Sequence, residues 1–141
     1  MTDSCLFCGI AAGDIPSVKV AESPSTYAFM DINPASDGHV LVIPKRHSRD
    51  LLDISADDLV DVTSAAQRIA KAAVVAFDAD GVNLLNCSGA EAWQSVFHFH
   101  LHVVPRYADT TKDRLEVPWQ PGTTGDPELI ADLGNRLAAS L

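Results

Sequence analysis

The sequence of 141 residues contains little cysteine, and this scarcity excludes one class of protein. Its three cysteines, Cys5, Cys8 and Cys87, are too few and too odd in number to form the disulfide framework of a small secreted domain. Proteins without such a framework are typical of reducing compartments. We therefore expect a cytoplasmic protein with free or metal-bound thiols.

Positive charge is also scarce, with 10 lysines and arginines against 19 aspartates and glutamates and a formal net charge of −9. Nucleic acids and anionic membranes are bound by cationic surfaces, so neither is an expected partner. No hydrophobic run approaches the roughly 20 residues that cross a bilayer. The N-terminus also lacks a basic region followed by an apolar one, so no targeting segment is expected. A small anionic ligand at a local site remains compatible with this composition.

The chain is nevertheless 47% hydrophobic, which is enough to bury a core, and we expect residues 1–141 to form one domain. Five short runs have the composition of strands and are separated by turn-forming residues. They are Val18–Glu22, Thr26–Met30, His39–Ile43, Val82–Cys87 and Ser95–Val104. Apolar residues at helical spacing predict one long helix between the third and fourth runs, and shorter helices are expected at Leu6–Ala12 and Pro127–Ala139. The predicted fold class is α+β with an antiparallel sheet.

Three of the five histidines lie at alternate positions in "SVFHFHLHVV". On a strand, alternate residues share one face, so His98, His100 and His102 would form a row. The apolar residues between and beside them would then pack against the core; these are Phe97, Phe99, Leu101 and Val103. Two chemical interpretations are open: the three imidazoles bind one catalytic metal ion, or they divide into different roles.

A C-x-x-C pair, "CLFC", stands near the start of the chain. Two thiolates at this spacing supply half of a tetrahedral zinc site, and two histidines would complete it. His47 follows the third predicted strand and His98 opens the histidine run, so both can face the same end of the sheet. Free thiols and a redox pair are the alternatives. A redox C-x-x-C is expected at a helix that directly follows a strand, and no strand precedes this one.

The segment "HFHLHVV" resembles the signature of the histidine triad (HIT) family, in which three histidines alternate with apolar residues. Three longer segments agree in order along the chain: "CLFCGIAAGDIP", "AFMDINPASDGHVLVIPKRH" and "QSVFHFHLHVVPR". "PWQPG" further on is similar to the family's C-terminal tryptophan segment. The resemblance covers a core of residues 5–106, followed by a C-terminal loop and helix over residues 107–141. It is strongest to the short, Hint-like, nucleotide-binding branch.

The resemblance implies an α+β domain with a five-stranded antiparallel sheet, one long helix and short terminal helices. It implies a homodimer that pairs through the long helix and a strand. It also implies a purine nucleotide substrate and cleavage at its α-phosphorus, in phosphoramidates or related (di)nucleotides. Two alternatives are a nucleotide- or partner-binding module with little catalytic role and a three-histidine metalloenzyme.

The same resemblance assigns roles to individual residues. His100 matches the nucleophile, provided that a backbone carbonyl holds its other nitrogen; His102 would donate to the phosphate, and Ser95 would contact the phosphate or leaving group. The substrate-binding residues implied are Asp31, Asn86, Gln94, His39, Leu6, Phe7, Phe29, Ile32, Leu41 and Trp119. A structural zinc ion would be held by Cys5, Cys8, His47 and His98. One departure from the family is Trp93, where many members have glycine before the Gln-Ser pair.

Overall fold

The computed structural model describes residues 4–116 and 122–141. Within them, three α-helices and five strands follow one another along the chain. They are α1 (Leu6–Ala12), β1 (Lys19–Glu22), β2 (Thr26–Met30), β3 (Val40–Pro44), α2 (Ala56–Phe77), β4 (Gly81–Leu85), β5 (Leu101–Arg106) and α3 (Pro127–Ala138). One short 3-10 helix lies at Ala90–Ala92, between β4 and β5. The strands form one antiparallel sheet in the order β1-β2-β3-β5-β4. The predicted fold class is confirmed.

The long helix α2 covers one face of the sheet. Ser55 caps its N-terminus by accepting a hydrogen bond from the Asp58 amide at 3.2 Å. Its buried residues recur three or four positions apart and therefore form one stripe; they are Asp58, Val62, Ala65, Ala66, Ile69 and Ala73. This stripe packs on Ala28, Val42 and Val103 of the sheet, and Phe99 closes the same core.

The short helix α1 covers part of the opposite face. Its residues Phe7 and Ile10 pack with Phe29 of β2 and with Leu41 and Ile43 of β3. Strands β2 and β3 are thus covered on both sides, which explains their continuous apolar sequences, since alternate residues point to opposite faces. Side chains on the α1 face surround the candidate site described below.

Strand β5 begins later than predicted, at Leu101 rather than Ser95. Its pairing with β3 ends at Val42 and Leu101. The next hydrogen-bonded pair would need an N–H from Pro44, which proline lacks. The Phe99 amide instead donates to the Ser48 carbonyl at 2.7 Å. The prediction of three histidines in a row on one strand is therefore wrong, because only His102 lies within β5.

The apolar residues of this run also divide differently from the prediction. Phe99 and Val103 are buried and Leu101 packs against the core, as expected. Phe97 was expected in the core, but 47% of it is exposed because residues 95–100 are not a strand.

The C-terminal helix α3 is confirmed within one residue of its predicted end. Asp126 caps it, and Pro127 occupies its first turn, where a missing N–H is tolerated. None of its residues is buried. No helix in the described parts of the chain has the length and apolar character needed to cross a membrane.

Candidate active site and metal centre

A pocket of about 370 Å³ opens on the α1 face of the sheet. Its walls include nine of the residues predicted from the sequence: Leu6, Phe7, Phe29, Asp31, Ile32, Leu41, Ser95, His100 and His102. The apolar members come from α1, β2 and β3, while Ser95 and His100 come from the segment that leads into β5 and His102 from β5 itself. An apolar slot therefore lies next to a polar end that carries two imidazoles.

His100 is held so that one ring nitrogen is free. Its Nδ1 lies 2.7 Å from the His98 carbonyl oxygen, so Nδ1 carries the proton and donates it to that oxygen. Burial lowers the pKa of His100, and the ring is therefore neutral near pH 7. Its Nε2 then holds an unshared electron pair at the polar end of the pocket. The backbone carbonyl that a histidine nucleophile needs as the partner of its other nitrogen is therefore present.

A chain of hydrogen bonds fixes the other imidazole. The Ala35 amide donates to His39 Nδ1 at 3.0 Å, so a neutral His39 carries its proton on Nε2. His39 Nε2 lies 2.9 Å from His102 Nδ1 and donates to it. His102 must then carry its own proton on Nε2. Burial lowers the pKa of His102 to about 4, so near pH 7 this ring is a neutral donor.

Gly38 brings His39 into place. Its φ of +87° lies in the left-handed region, and a Cβ at this position would stand 2.5 Å from the Phe77 ring. Only glycine meets both conditions without strain. The backbone can therefore turn tightly against the end of α2 and enter β3 with His39 directed at His102.

The Asp31 carboxylate stands beside this chain, with Oδ2 3.6 Å from His39 Nε2. Asp31, His39 and His102 are close enough together to suggest a metal site. The Ala35 hydrogen bond argues against one, because it leaves the proton of neutral His39 on the nitrogen that would face the ion. Asp31 Oδ1 accepts from the Asn33 amide at 2.8 Å, which fixes the carboxylate at the rim of the pocket.

The second polar cluster unites the four residues predicted to hold zinc: Cys5, Cys8, His47 and His98. Three sulfur-to-nitrogen distances are each 3.4 Å: Cys5 Sγ to His98 Nδ1, Cys8 Sγ to His98 Nδ1, and Cys8 Sγ to His47 Nδ1. Tetrahedral zinc with ordinary bond lengths separates sulfur and nitrogen ligands by about 3.6 Å. The donor set and its spacing thus fit zinc.

His98 is oriented for this role by its own hydrogen bond. Its Nε2 donates to the Pro44 carbonyl at 2.8 Å, which leaves Nδ1 without a proton and directed at the two thiols. A backbone partner of this kind is typical of metal-binding histidines. The backbone carbonyl of His98 also accepts from His100, so one residue joins both sites. The free nitrogens of His98 and His100 serve different sites, and in the described residues the triad does not assemble as a three-histidine metal site.

Comparison with known proteins shows the family to which the chain belongs. The family model of the HIT domain matches residues 12–109. The chain belongs to the HIT family.

Relatives of this HIT protein extend over nearly its whole length. The adenosine 5′-monophosphoramidase of Schizosaccharomyces pombe is 36% identical over 138 residues, which are 98% of each chain. The crystal structure of a HIT family protein from Bacillus subtilis has a TM-score of 0.89 and 37% identity, covering 99% of this chain and 98% of that one. A zinc-bound histidine triad family protein from Mycobacterium smegmatis has a TM-score of 0.76 and 38% identity, covering 99% of both chains.

Two of the predicted substrate-binding residues, Asn86 and Gln94, bind the backbone around the HIT site. The Asn86 side-chain amide donates to the His100 carbonyl at 2.9 Å. Gln94 is buried; its Oε1 accepts from the Gly89 amide, and its Nε2 donates to the carbonyls of Arg49 and Val96. Neither residue lines the pocket. Both side chains hold the backbone on either side of Ser95. Trp119, also predicted to bind substrate, lies outside the described residues.

The sequence did not indicate several residues of this HIT pocket. Ile10, Ile15, Pro16, Ser17 and Val96 also line it. The first of these carried a signal, because Ile10 follows Leu6 and Phe7 at helical spacing. The hydrogen bond from Ala35 to His39 had none, since it depends on how residues 31–39 turn between two strands.

Proposed function

We propose that this protein is a hydrolase that cleaves the P–N bond of a purine nucleoside 5′-phosphoramidate, by way of a nucleotide attached to His100. The observation that carries the proposal is the 2.7 Å contact between His100 Nδ1 and the His98 carbonyl. It leaves Nε2 as an unprotonated nucleophile in a ring that stays neutral near pH 7. The phosphoramidase relative is consistent with this chemistry.

The reaction takes place in two steps. In the first, the Nε2 electron pair of His100 attacks the α-phosphorus, a P–N bond to the ring forms, and the P–N bond to the leaving amine breaks. The amine takes up a proton from bulk water as it departs. In the second step, a water molecule attacks the same phosphorus and loses a proton to bulk water, and the bond to His100 breaks with its electron pair returning to Nε2, which releases the nucleoside monophosphate. A covalent intermediate replaces one difficult displacement with two easier ones.

His102 and Ser95 stabilise the charge that develops at phosphorus. The hydrogen bond from His39 leaves His102 with a proton on Nε2, so this ring donates to a phosphate oxygen. The Ser95 hydroxyl lines the same end of the pocket and contacts the phosphate or the leaving group. The hydrogen bond from His39 holds the His102 donor in place before the substrate binds, so this ring needs little reorganisation at the moment of reaction.

The rest of the pocket suits a nucleoside. The apolar walls from α1, β2 and β3 can enclose a flat purine ring, and Asp31 can accept both ribose hydroxyls at the rim. Among the residues that the structure describes, no lysine or arginine lines this pocket. With neutral histidines and a net charge of −9, the site offers no cation for a chain of phosphates. This favours substrates with a single phosphate over dinucleotides joined by several.

We further propose that Cys5, Cys8, His47 and His98 hold a structural zinc ion. Four protein ligands leave no open position, so the ion would act as a cross-link between the start of the chain and the sheet. The thiols must stay reduced for this role, which fits a cytoplasmic location. The cross-link would also fix the His98 carbonyl that orients His100.

We also propose a homodimer, because α2 and β4 leave an apolar surface open. This surface is lined by Leu59, Val60, Thr63, Ser64, Gln67, Ala70, Val82 and Leu84. Strand β4 is the outer strand on this side of the sheet, so its free edge can pair with that of a second copy. Purine nucleotide and a second copy are then the partners; the acidic surface favours neither nucleic acid nor membrane.

Light scattering coupled to size-exclusion chromatography tests the dimer. Wild type is expected to have twice the chain mass of 15.0 kDa. Val60→Lys is expected to give a monomer, because Val60 is 63% exposed on this surface and a lysine would be buried without a partner. Val75→Lys is the matched control on the same helix, since Val75 is 86% exposed and lies outside the apolar surface. A monomeric wild type contradicts the proposal.

Intact-protein mass spectrometry tests the reaction. After brief mixing with adenosine 5′-phosphoramidate, wild type is expected to gain the mass of one adenylyl group. His100→Gly is expected to gain none. ATP serves as the control substrate, and its polyphosphate should yield no adduct. Turnover of the phosphoramidate without any adduct would contradict the covalent route, and binding without turnover would favour a nucleotide-binding module.

A further inference from the structure

Trp93 has a backbone conformation that bulky residues rarely adopt. Its φ of 69° and ψ of 19° lie in the left-handed region. Among the described residues one other non-glycine shares a positive φ, Asp78 at the end of α2, and aspartate tolerates this region well. A tryptophan there is an outlier, and such outliers persist where the surrounding structure imposes them, often at functional sites.

The surroundings of Trp93 do impose this conformation. Its amide donates to the Ala90 carbonyl at 3.0 Å, and the next amide, of Gln94, donates to the Gly89 carbonyl at 3.1 Å. The buried Gln94 side chain then ties the turn to Arg49 and Val96. The backbone of residue 93 is thus held on both sides whatever its side chain.

Folding does not account for the indole at this position. Trp93 is 68% exposed and has no aromatic or cation–π partner in the described parts of the chain. A large apolar side chain that is both strained and exposed gains little from the folded state. A bound ligand that covers the indole would bury its apolar surface and so stabilise it.

The place of Trp93 identifies the part of the substrate that reaches it. Ser95, two residues further on, lines the polar end of the pocket together with His100 and His102. The base slot lies at the other end, among the residues of α1, β2 and β3. Trp93 does not itself line the pocket, so it can meet only a part of the substrate that extends beyond Ser95, such as the group attached to the far side of the phosphorus.

We propose that Trp93 selects the leaving group and favours amines with a flat apolar portion, such as an aromatic ring. This inference rests on the proposed phosphoramidase reaction. The ring of the amine packs against the exposed indole in the bound substrate and in the transition state alike. Binding of this uniform kind lowers KM and leaves kcat unchanged.

Two adenosine 5′-phosphoramidates test the proposal, one made from 2-phenylethylamine and one from propylamine. Wild type is expected to show a kcat/KM about three- to tenfold higher for the aromatic amine, which is the range of a single aromatic contact. In Trp93→Gly and Trp93→Asn the ratio is expected to fall to about one, chiefly through KM. Trp93→Phe is expected to keep most of the preference.

Phe97→Asn is the matched control. Phe97 is another exposed aromatic residue, two positions from Ser95 on its other side, and its replacement is expected to keep the wild-type ratio. Thermal unfolding supplies the second measurement. Glycine and asparagine adopt a positive φ more readily than tryptophan, so both variants should unfold no earlier than wild type.

Three outcomes overturn the inference. A preference for the aromatic amine that persists in Trp93→Gly and Trp93→Asn shows that another residue selects the leaving group. Unfolding of both variants at a lower temperature shows that the indole serves the fold. Failure of wild type to turn over either amidate contradicts the proposed function itself, and the inference falls with it.

Discussion

Replacing His100 with alanine is expected to lower kcat/KM for adenosine 5′-phosphoramidate by about 10⁴-fold or more, the loss found when a covalent nucleophile is removed. The hydrogen bond at 2.7 Å to the His98 carbonyl gives this ring its free Nε2, and no other side chain in the described part of the pocket offers an equivalent atom. His102 Nε2 carries a proton, so it cannot take over. Steady-state kinetics on the purified variant measure the loss.

The variant must be shown to fold. His100 is not among the residues of the metal centre, so zinc content and circular dichroism should match those of wild type. His102→Ala should lose less, about 10²- to 10³-fold, because it removes one donor and leaves the nucleophile in place. Loss of zinc from His100→Ala would instead favour a metal site built from the triad. Residual activity near that of wild type would show that another group attacks phosphorus.

The apolar pattern of the sequence was sufficient to predict the sheet and the long helix. The stripe of α2 follows a helical repeat, so its place between the third and fourth runs was predicted. Strands β2 and β3 are continuous apolar runs, and their ends differ by at most one residue from the prediction. The grouping of Cys5, Cys8, His47 and His98 was also accessible, because a C-x-x-C pair limits the search to histidines that a sheet can bring to the same end. Local patterns of this kind need no knowledge of tertiary contacts.

The segment around the histidines could not be predicted in the same way. "VFHFHLH" alternates as a strand does, but tertiary contacts override the pattern: Pro44 ends the ladder and Asn86 binds the His100 carbonyl with its side chain. The late start of β5 and the exposure of Phe97 have one cause, since strand pairing depends on which backbone groups the neighbouring strands leave free. The protonated nitrogen of His102 depends likewise on Ala35 and His39, which lie over 60 positions away.

Departure from the alternating pattern is what separates the roles of the three histidines. In a regular strand, side chains at alternate positions would face one surface and share one environment. Here the irregular backbone lets His98 face the thiols while its carbonyl faces His100. The resemblance to the family implies different roles for the three histidines, and the broken strand places their side chains in different environments.

The second large effect is expected at the metal centre, in Cys5→Ser. Cys5 has two roles: its sulfur lies 3.4 Å from His98 Nδ1, and it caps α1 by accepting from the Cys8 amide. Serine is a good helix cap but a poor zinc ligand, so this substitution removes the metal contact and keeps the cap. Zinc content should fall from about one ion per chain to well below that.

The free energy of unfolding of Cys5→Ser should then decrease by about 3 kcal/mol, since a ligand present at 100 times its Kd stabilises by that amount. For a chain of this size the corresponding shift in Tm is roughly 10 °C. Nucleotide affinity should also weaken, because α1 supplies Leu6, Phe7 and Ile10 to the pocket. Plasma mass spectrometry of the metal, calorimetry and titration with AMP measure the three effects.

Cys87→Ala is the control for the metal centre, because Cys87 is buried away from the cluster and its loss should leave zinc in place. The two variants together separate a metal effect from the general cost of altering a cysteine. If Cys5→Ser retains one zinc per chain, the ligand set is wrong. If wild type carries zinc and Cys5→Ser loses it without any change in Tm, the ion does not cross-link the fold, and the Phe99–Ser48 and His98–Pro44 hydrogen bonds hold this segment without it.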